Sequence, residues 1–236
     1  MTSNCSDRLA LIKELSATLS PHQLEWKLFV WGQTIRLTRS LKRGFDIVFA
    51  LFCLVIFSPI FAVTALCIYV EDPGPIFYSQ IRVGENGRFF RFFKFRSMIV
   101  GADKQKDALA KQNESQDGVI FKMKDDPRIT RVGKFIRRYS IDELPQIINV
   151  LCGDMSLVGP RPALPKEVAL YTLEQRKRLH AVPGITCLWQ VNGRSEIPFT
   201  GQVRLDLEYI RSTSLKNDII ILAKTIPAVL AGKGAY

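Results

Sequence analysis

Two adjacent acids, Asp142 and Glu143, stand in the run Arg137-Arg138-Tyr139-Ser140-Ile141-Asp142-Glu143-Leu144-Pro145-Gln146, directly after a basic stretch. Their spacing has a plain structural explanation. Ser140 with Glu143 fits a capping box, Asp142 fits an N-cap, and acids near a helix N-terminus are favourable against the helix dipole. A chemical reading gains weight from Gly159-Pro160-Arg161-Pro162 close behind, a rigid turn that presents one arginine. Arginines beside paired carboxylates suit a site where a doubly charged phosphate is held while an acid attacks it or binds its metal. One carboxylate can accept a phosphoryl group as a nucleophile. The other can hold Mg²⁺, a hard cation that takes few carboxylates plus phosphate oxygens.

Competing chemistries lose ground on composition. With only His22 and His180 in the chain, a histidine metal site or a Ser-His triad has little to work with. The cysteines (Cys5, Cys53, Cys67, Cys152 and Cys187) are scattered with no C-x-x-C pair, which points to a reducing compartment without structural disulfides or zinc. A net charge of +11 suggests nucleic acid, an anionic membrane surface or phosphate-bearing substrates, and does not choose among them.

The elements that must position these acids begin with an apolar run. Ile47 to Val70 carries no charge between Asp46 and Glu71, and at about 1.5 Å per residue it would reach across a bilayer core if the helix were straight. Ser58-Pro59 falls at its middle, where proline removes a hydrogen bond and clashes with the preceding turn, leaving two arms too short to span. Both flanks are basic: Arg36, Arg39, Lys42 and Arg43 before, Arg82, Arg88, Arg91, Lys94 and Arg96 after. The positive-inside rule then wants both on the cytoplasmic face, and a helix-break-helix hairpin that leaves by the leaflet it entered satisfies that. A single proline-kinked spanning helix is the alternative. Ahead of the run, Leu9, Ile12, Leu15 and Leu19 at helical spacing, followed by Trp26, Phe29 and Trp31, read either as an interfacial lead-in with aromatic anchors or as an ordinary surface helix. No cleavable signal is visible, so the cytoplasmic side is expected.

The remainder reads as one α/β domain, mostly helical with a small sheet. Strands are expected at 76–79, 89–98 and 185–191, with a turn at 84–87. Helices are expected at 129–138, 144–151 (closed by Gly153), 165–180, 203–210 and 215–230, the last with an apolar face suited to the bilayer surface or the core. Residues 102–112 are polar and helix-prone, and 113–118 read as a loop. The domain boundaries follow as 1–40 for the lead-in, 41–71 for the membrane hairpin and 72–236 for the cytoplasmic catalytic domain.

The ordered motifs resemble one family. They are Lys42-Arg43-Gly44-Phe45-Asp46 ahead of the Ser58-Pro59 hairpin, Asp72-Pro73-Gly74-Pro75-Ile76-Phe77, Lys94-Phe95-Arg96-Ser97-Met98, Asp126-Pro127-Arg128-Ile129-Thr130, Asp142-Glu143-Leu144-Pro145-Gln146, Gly153-Asp154-Met155-Ser156, Gly159-Pro160-Arg161-Pro162, Pro183-Gly184-Ile185-Thr186 and Trp189-Gln190-Val191-Asn192-Gly193-Arg194. Each is weak alone, and their joint order is specific. The chain in this respect is similar to the bacterial sugar transferases, the monotopic polyprenyl-phosphate phosphoglycosyl transferases. That resemblance implies a re-entrant helix at the cytoplasmic face of the inner membrane. It also implies attack of Asp142 on the β-phosphorus of a UDP-sugar with UMP leaving, and collection of the phosphosugar by polyprenyl phosphate at the start of exopolysaccharide assembly. Under it Glu143 would bind Mg²⁺, Arg137 and Arg161 would contact phosphates, and Pro160 and Pro162 would shape the nucleotide pocket. Lys94, Arg96, Gln190 and Arg194 complete the expected substrate contacts. The ending Gly232-Lys233-Gly234-Ala235-Tyr236 resembles members handling glucose or galactose, and Cys187 stands where many relatives have glycine. Nucleic acid is not an expected partner, and a homodimer is compatible. Direct attack by the lipid phosphate, with the acids only binding metal, and a non-enzymatic basic membrane protein are the rival readings.

Overall fold

The computed structural model describes residues 20–102, 123 and 126–232. Helix α1, Pro21–Ile56, opens on a capping box: the Ser20 hydroxyl accepts from the Gln23 amide and Gln23 Oε1 accepts from Ser20 N at 3.1 Å. It runs unbroken through residue 40, so the expected division between lead-in and hairpin falls inside one helix. Helix α2, Ser58–Glu71, follows after Phe57, and the two axes differ by 59°. The break has a local cause. Pro59 has no amide hydrogen for Val55 O, and the Ser58 hydroxyl takes over that carbonyl at 2.8 Å. Along both arms the apolar side chains face outward, Val48, Val55, Val63 and Val70 being 69%, 74%, 62% and 72% exposed, an apolar surface far beyond what a water-facing helix pair shows. No single helix among the described residues is long and apolar enough to cross a membrane, although the bent pair taken together passes that test.

Strands β1, Phe77–Val83, and β2, Phe89–Phe95, form an antiparallel hairpin from the pair Phe77↔Phe95 to Val83↔Phe89, closed by the expected turn with Asn86 in the left-handed region. Alternation along β2 turns Phe90, Phe92 and Lys94 to one face, the phenylalanines into the main core, which puts the lysine at the edge of that core. Phe95 faces the other way, onto Phe61 and Ile68 of α2. The strand ends at Phe95 rather than Met98.

Helix α3, Arg131–Arg138, is capped twice: by Thr130, and by the Glu71 carboxylate at the end of α2, which accepts from the Arg131 and Val132 amides at 2.7 and 2.9 Å. After a 3₁₀ turn, Ile141–Glu143, come α4, Gln146–Cys152, ended by Gly153 at φ 90°, and β3, Ser156–Val158. The expected helix over 165–180 is broken into α5, Pro165–Ala169, α6, Leu173–Arg176, and a 3₁₀ turn, Lys177–His180. Tyr171 turns inward against Phe199 between the pieces, and Thr172 caps the second one. The expected strand over 185–191 is also shorter. Strand β4, Gly184–Thr186, pairs in parallel with β3, and Leu188–Asn192 is helix α7. Helices α8, Phe199–Arg211, and α9, Leu215–Ala231, follow, covering the expected 203–210 and 215–230.

The architecture is thus mostly helical, as expected, with its few strands divided between two small sheets rather than one. The core, with Phe90, Phe92, Ile147, Val150, Leu157 and Tyr209, lies between the β-hairpin, α4 and α8, with Ala50 of α1 against it. The spacing at 8–19, the helix-prone stretch beyond Ala102 and the 113–118 loop lie outside the described residues. Strands β3 and β4 approach so closely that a β-carbon on Gly184 would overlap the Gly159 amide and the Val158 carbonyl carbon. Gly184→Ala is therefore expected to destabilise the protein by about 3 kcal/mol through overpacking, read as a lower midpoint of chemical unfolding in detergent.

Candidate active site

The acids are presented by backbone geometry rather than by helix capping. Ser140 occupies the left-handed region at φ 54° with no side-chain capping bond, which overturns the capping-box reading of Ser140 and Glu143. The turn is closed by Glu143 N donating to Ser140 O and Leu144 N to Ile141 O, both at 3.1 Å, before Pro145 leads into α4. Asp142 and Glu143 thus precede α4 in their own tight turn, with Asp142 buried.

Cations from two other elements meet them. Lys94 Nζ, on the inner face of β2, donates to Asp142 Oδ2 at 3.0 Å and to Glu143 Oε1 at 2.9 Å. Arg161 Nη2, from the turn after β3, reaches the same Glu143 oxygen at 2.9 Å. Burial pushes the Glu143 carboxyl up, but the charges of Arg161 and Lys94 outweigh it and hold the group well below the usual carboxylate range. Burial likewise pulls the Arg161 guanidinium down, and Glu143 more than offsets that. A third cation, Arg194, donates to the Ser140 hydroxyl at 3.2 Å.

These groups border a cavity of about 1780 Å³. Of the residues expected at the site, Lys94, Arg96, Arg137, Asp142, Glu143, Arg161, Pro162, Gln190 and Arg194 all line it. Arg96 is committed to the Asp72 turn, where its guanidinium holds the Asp72 carbonyl and stands 3.6 Å from the carboxylate. Pro160 lies behind the wall, its carbonyl accepting from Gly184 N at 3.0 Å. Gln190 has its side-chain oxygen engaged by the Cys187 thiol at 3.1 Å. The same cavity also has apolar lining, from Phe49, Phe52 and Ile56 of α1 and Leu222, Ile226 and Val229 of α9.

Several supporting residues were not among those expected at the site. Arg82 donates to Pro162 O at 3.1 Å and stacks 5.2 Å over Phe92, fixing the Arg161 turn; burial and then Arg161 lower its guanidinium to about 10. Asn149 docks α4 on β2, accepting from Phe93 N at 3.1 Å and donating to Arg91 O at 2.6 Å. At the base of the Arg161 turn a closed ring forms: Lys42 Nζ reaches Asp218 Oδ2 at 2.5 Å and Val158 O at 3.2 Å, while the Tyr209 hydroxyl lies 2.8 Å from Asp218 Oδ1 and 2.9 Å from Val158 O. Arg43 donates to Val150 O and Leu151 O at the end of α4, and Asp46 accepts from Leu157 N at 3.1 Å. The one readable signal was the Lys42-Arg43-Gly44-Phe45-Asp46 run itself.

Among the described residues no group of three or more His, Cys, Asp or Glu side chains is placed to hold a metal. Asp142 Oδ1 and Glu143 Oε2 nevertheless take no hydrogen bond from a described residue. That donor set, hard and too small alone, fits an ion such as Mg²⁺ that draws its other ligands from water and substrate phosphates.

Residues 37–232 match the family described as bacterial sugar transferase. Over 195 residues the chain is 50% identical to a galactosyl transferase, CpsE, of Streptococcus agalactiae, covering 82% of this chain and 43% of that protein. It is 39% identical over 198 residues to the exopolysaccharide production protein ExoY of Sinorhizobium fredii, covering 83% of this chain and 88% of that one. An undecaprenyl-phosphate galactose phosphotransferase of Salmonella typhimurium is 44% identical over 212 residues, 85% of this chain and 43% of its own length. The chain belongs to the bacterial sugar transferase family, a family of enzymes. It spans less than half the length of two of these relatives and most of the third.

Tyr209→Phe removes the donor shared by Val158 O and Asp218 and is expected to cost about 1–3 kcal/mol, measured by chemical unfolding. Because the Glu143 carboxyl is depressed in the fold, the stability from its two cation contacts is complete above the ordinary value of 4.5 and is lost as pH falls through the depressed folded value. The stability gap between wild type and Glu143→Gln should therefore narrow steadily below pH 4.5, followed as unfolding free energy against pH.

Proposed function

We propose that this chain transfers a sugar-1-phosphate, glucose or galactose by preference, from a UDP-sugar to undecaprenyl phosphate at the cytoplasmic face of the inner membrane. One observation carries the reading. An acid pair, Asp142 buried and Glu143 partly so, neutralised by Lys94 and Arg161, borders the same cavity as the apolar faces of α1 and α9. A charged donor and a lipid-borne acceptor meet only where such surfaces join. The relatives named for galactose phosphate transfer to undecaprenyl phosphate and for exopolysaccharide production support the same assignment.

In this mechanism an Asp142 carboxylate oxygen forms a bond to the β-phosphorus, and the bond from that phosphorus to the oxygen bridging to UMP breaks, so UMP leaves with the bridging oxygen. The phosphosugar is then held on Asp142 as an acyl phosphate. An oxygen of the lipid phosphate attacks the same phosphorus, forming the lipid diphosphate sugar and restoring the carboxylate. Lys94, which holds Asp142 Oδ2 in the structure, turns toward the incoming phosphate, while Arg161 and Arg137 offset the charge that develops there. Glu143 would hold Mg²⁺, which would supply positive charge to the donor diphosphate. The 59° bend at Ser58-Pro59, with basic residues on both flanks, supports a re-entrant hairpin in one leaflet.

Intact-protein mass spectrometry tests the chemistry. Wild type incubated with UDP-glucose or UDP-galactose and Mg²⁺ in the absence of lipid is expected to gain the mass of one sugar phosphate, and Asp142→Asn none. Lipid-dependent UMP release by wild type with no adduct under any condition would replace the covalent route by direct attack of the lipid phosphate.

A further inference from the structure

Asn86, Ser140 and Arg194 are the described non-glycine residues with left-handed backbone, at φ 54°, 54° and 50°. Asn86 sits in the hairpin turn, where asparagine tolerates that conformation. The other two have no such excuse, and they touch: Arg194 Nη2 donates to Ser140 Oγ at 3.2 Å across 54 residues of chain. Backbone of this kind persists only where the surroundings enforce it, and it gathers at functional sites.

The place of each residue gives the contact a purpose. Ser140 separates α3 from the acid turn. Were it right-handed, α3 would run on through Tyr139 and Ser140, and Asp142 and Glu143 would be carried around the helix axis away from Lys94 and Arg161. Instead Ser140 O accepts from Glu143 N, so the serine is the first residue of the turn that aims both acids. Arg194 begins the 3₁₀ turn Arg194–Glu196 after α7, and it also lines the cavity. Its guanidinium stands near enough to both carboxylates for their charges to oppose the effect of burial on it.

We propose that Arg194 and Ser140 are a positioning pair: by holding the Ser140 hydroxyl, Arg194 keeps the serine left-handed, and the loop after α7 thereby sets the aim of Asp142. The inference rests on the catalytic role given to that turn above. It differs from a substrate contact in what it requires of position 140, namely a conformation rather than a hydroxyl.

The test uses that difference in the full-length enzyme. Ser140→Ala removes the hydroxyl and keeps the β-carbon that disfavours left-handed backbone, whereas Ser140→Gly removes the hydroxyl and adopts that backbone freely. Ser140→Ala is expected to lower kcat about tenfold or more with the donor KM little changed, in line with the cost of a small misplacement, and Ser140→Gly to lower it far less. Arg194→Ala should lower kcat in the wild-type background and by a clearly smaller factor in the Ser140→Gly background. Amide exchange at Glu143 and Leu144 should quicken in Ser140→Ala and Arg194→Ala, without change in the β1–β2 hairpin, and stay slow in Ser140→Gly. Equal effects of alanine and glycine on kcat, or unchanged exchange in the turn, would overturn the positioning role. If wild type turns over no UDP-sugar, the proposed function fails by itself, and the exchange comparison still decides the pair.

Discussion

Two unit charges about 4 Å apart repel by roughly 4 kcal/mol at an effective dielectric constant near 20, and removing both from water adds to the cost. Adjacent carboxylates on a largely desolvated turn can stay ionised only if cations are built in around them, and those cations must come from parts of the chain that the turn itself does not contain. Lys94 comes from a strand, Arg161 from the turn after a second strand, and Arg194 from the loop after a short helix. Much of the domain can be understood as the scaffold that delivers these charges. The Phe90 and Phe92 contacts fix the face of β2 on which Lys94 stands, and Arg82 fixes the turn on which Arg161 stands.

The same logic ties the apolar helices to the chemistry. The charged end of the outward-facing stretch turns inward, and Lys42, Arg43 and Asp46 satisfy backbone groups of α4 and β3. Both elements follow the acid pair in sequence, α4 carrying the chain away from the acids and β3 leading to Arg161. A displacement of α1 against the domain would thus disturb both halves of the site. Glu71 at the other end of the hairpin caps α3, so both ends of the apolar segment are fastened to elements that frame the acids.

What could be read from the sequence was local chemistry and strong punctuation. Asp142 with Glu143, the Ser58-Pro59 break, the Gly153 helix stop and the hairpin turn before Phe89 each follow from one or two residues whose constraints hold in any context. The misreadings arose where tertiary contacts decide. The 165–180 periodicity suits a helix, but Tyr171 gains more by packing on Phe199 than the helix gains by continuing. Residues 185–191 suit a strand, yet pairing stops at Thr186 because β3 is only that long. Ser140 matches a capping pattern letter for letter, and its left-handed backbone depends on a contact from residue 194 that no local window contains. The Lys42–Asp218 bridge, 176 residues apart, was equally beyond reach.

The cavity that joins the acid pair to the apolar faces of α1 and α9 has a kinetic meaning. An acceptor recognised at both its phosphate and its tail approaches by diffusion in a plane, so its supply is counted in molecules per unit area. Turnover would then respond to how thinly that lipid is spread among its neighbours and be insensitive to the volume of surrounding solution, while the proposed nucleotide-bearing donor would obey ordinary bulk concentration.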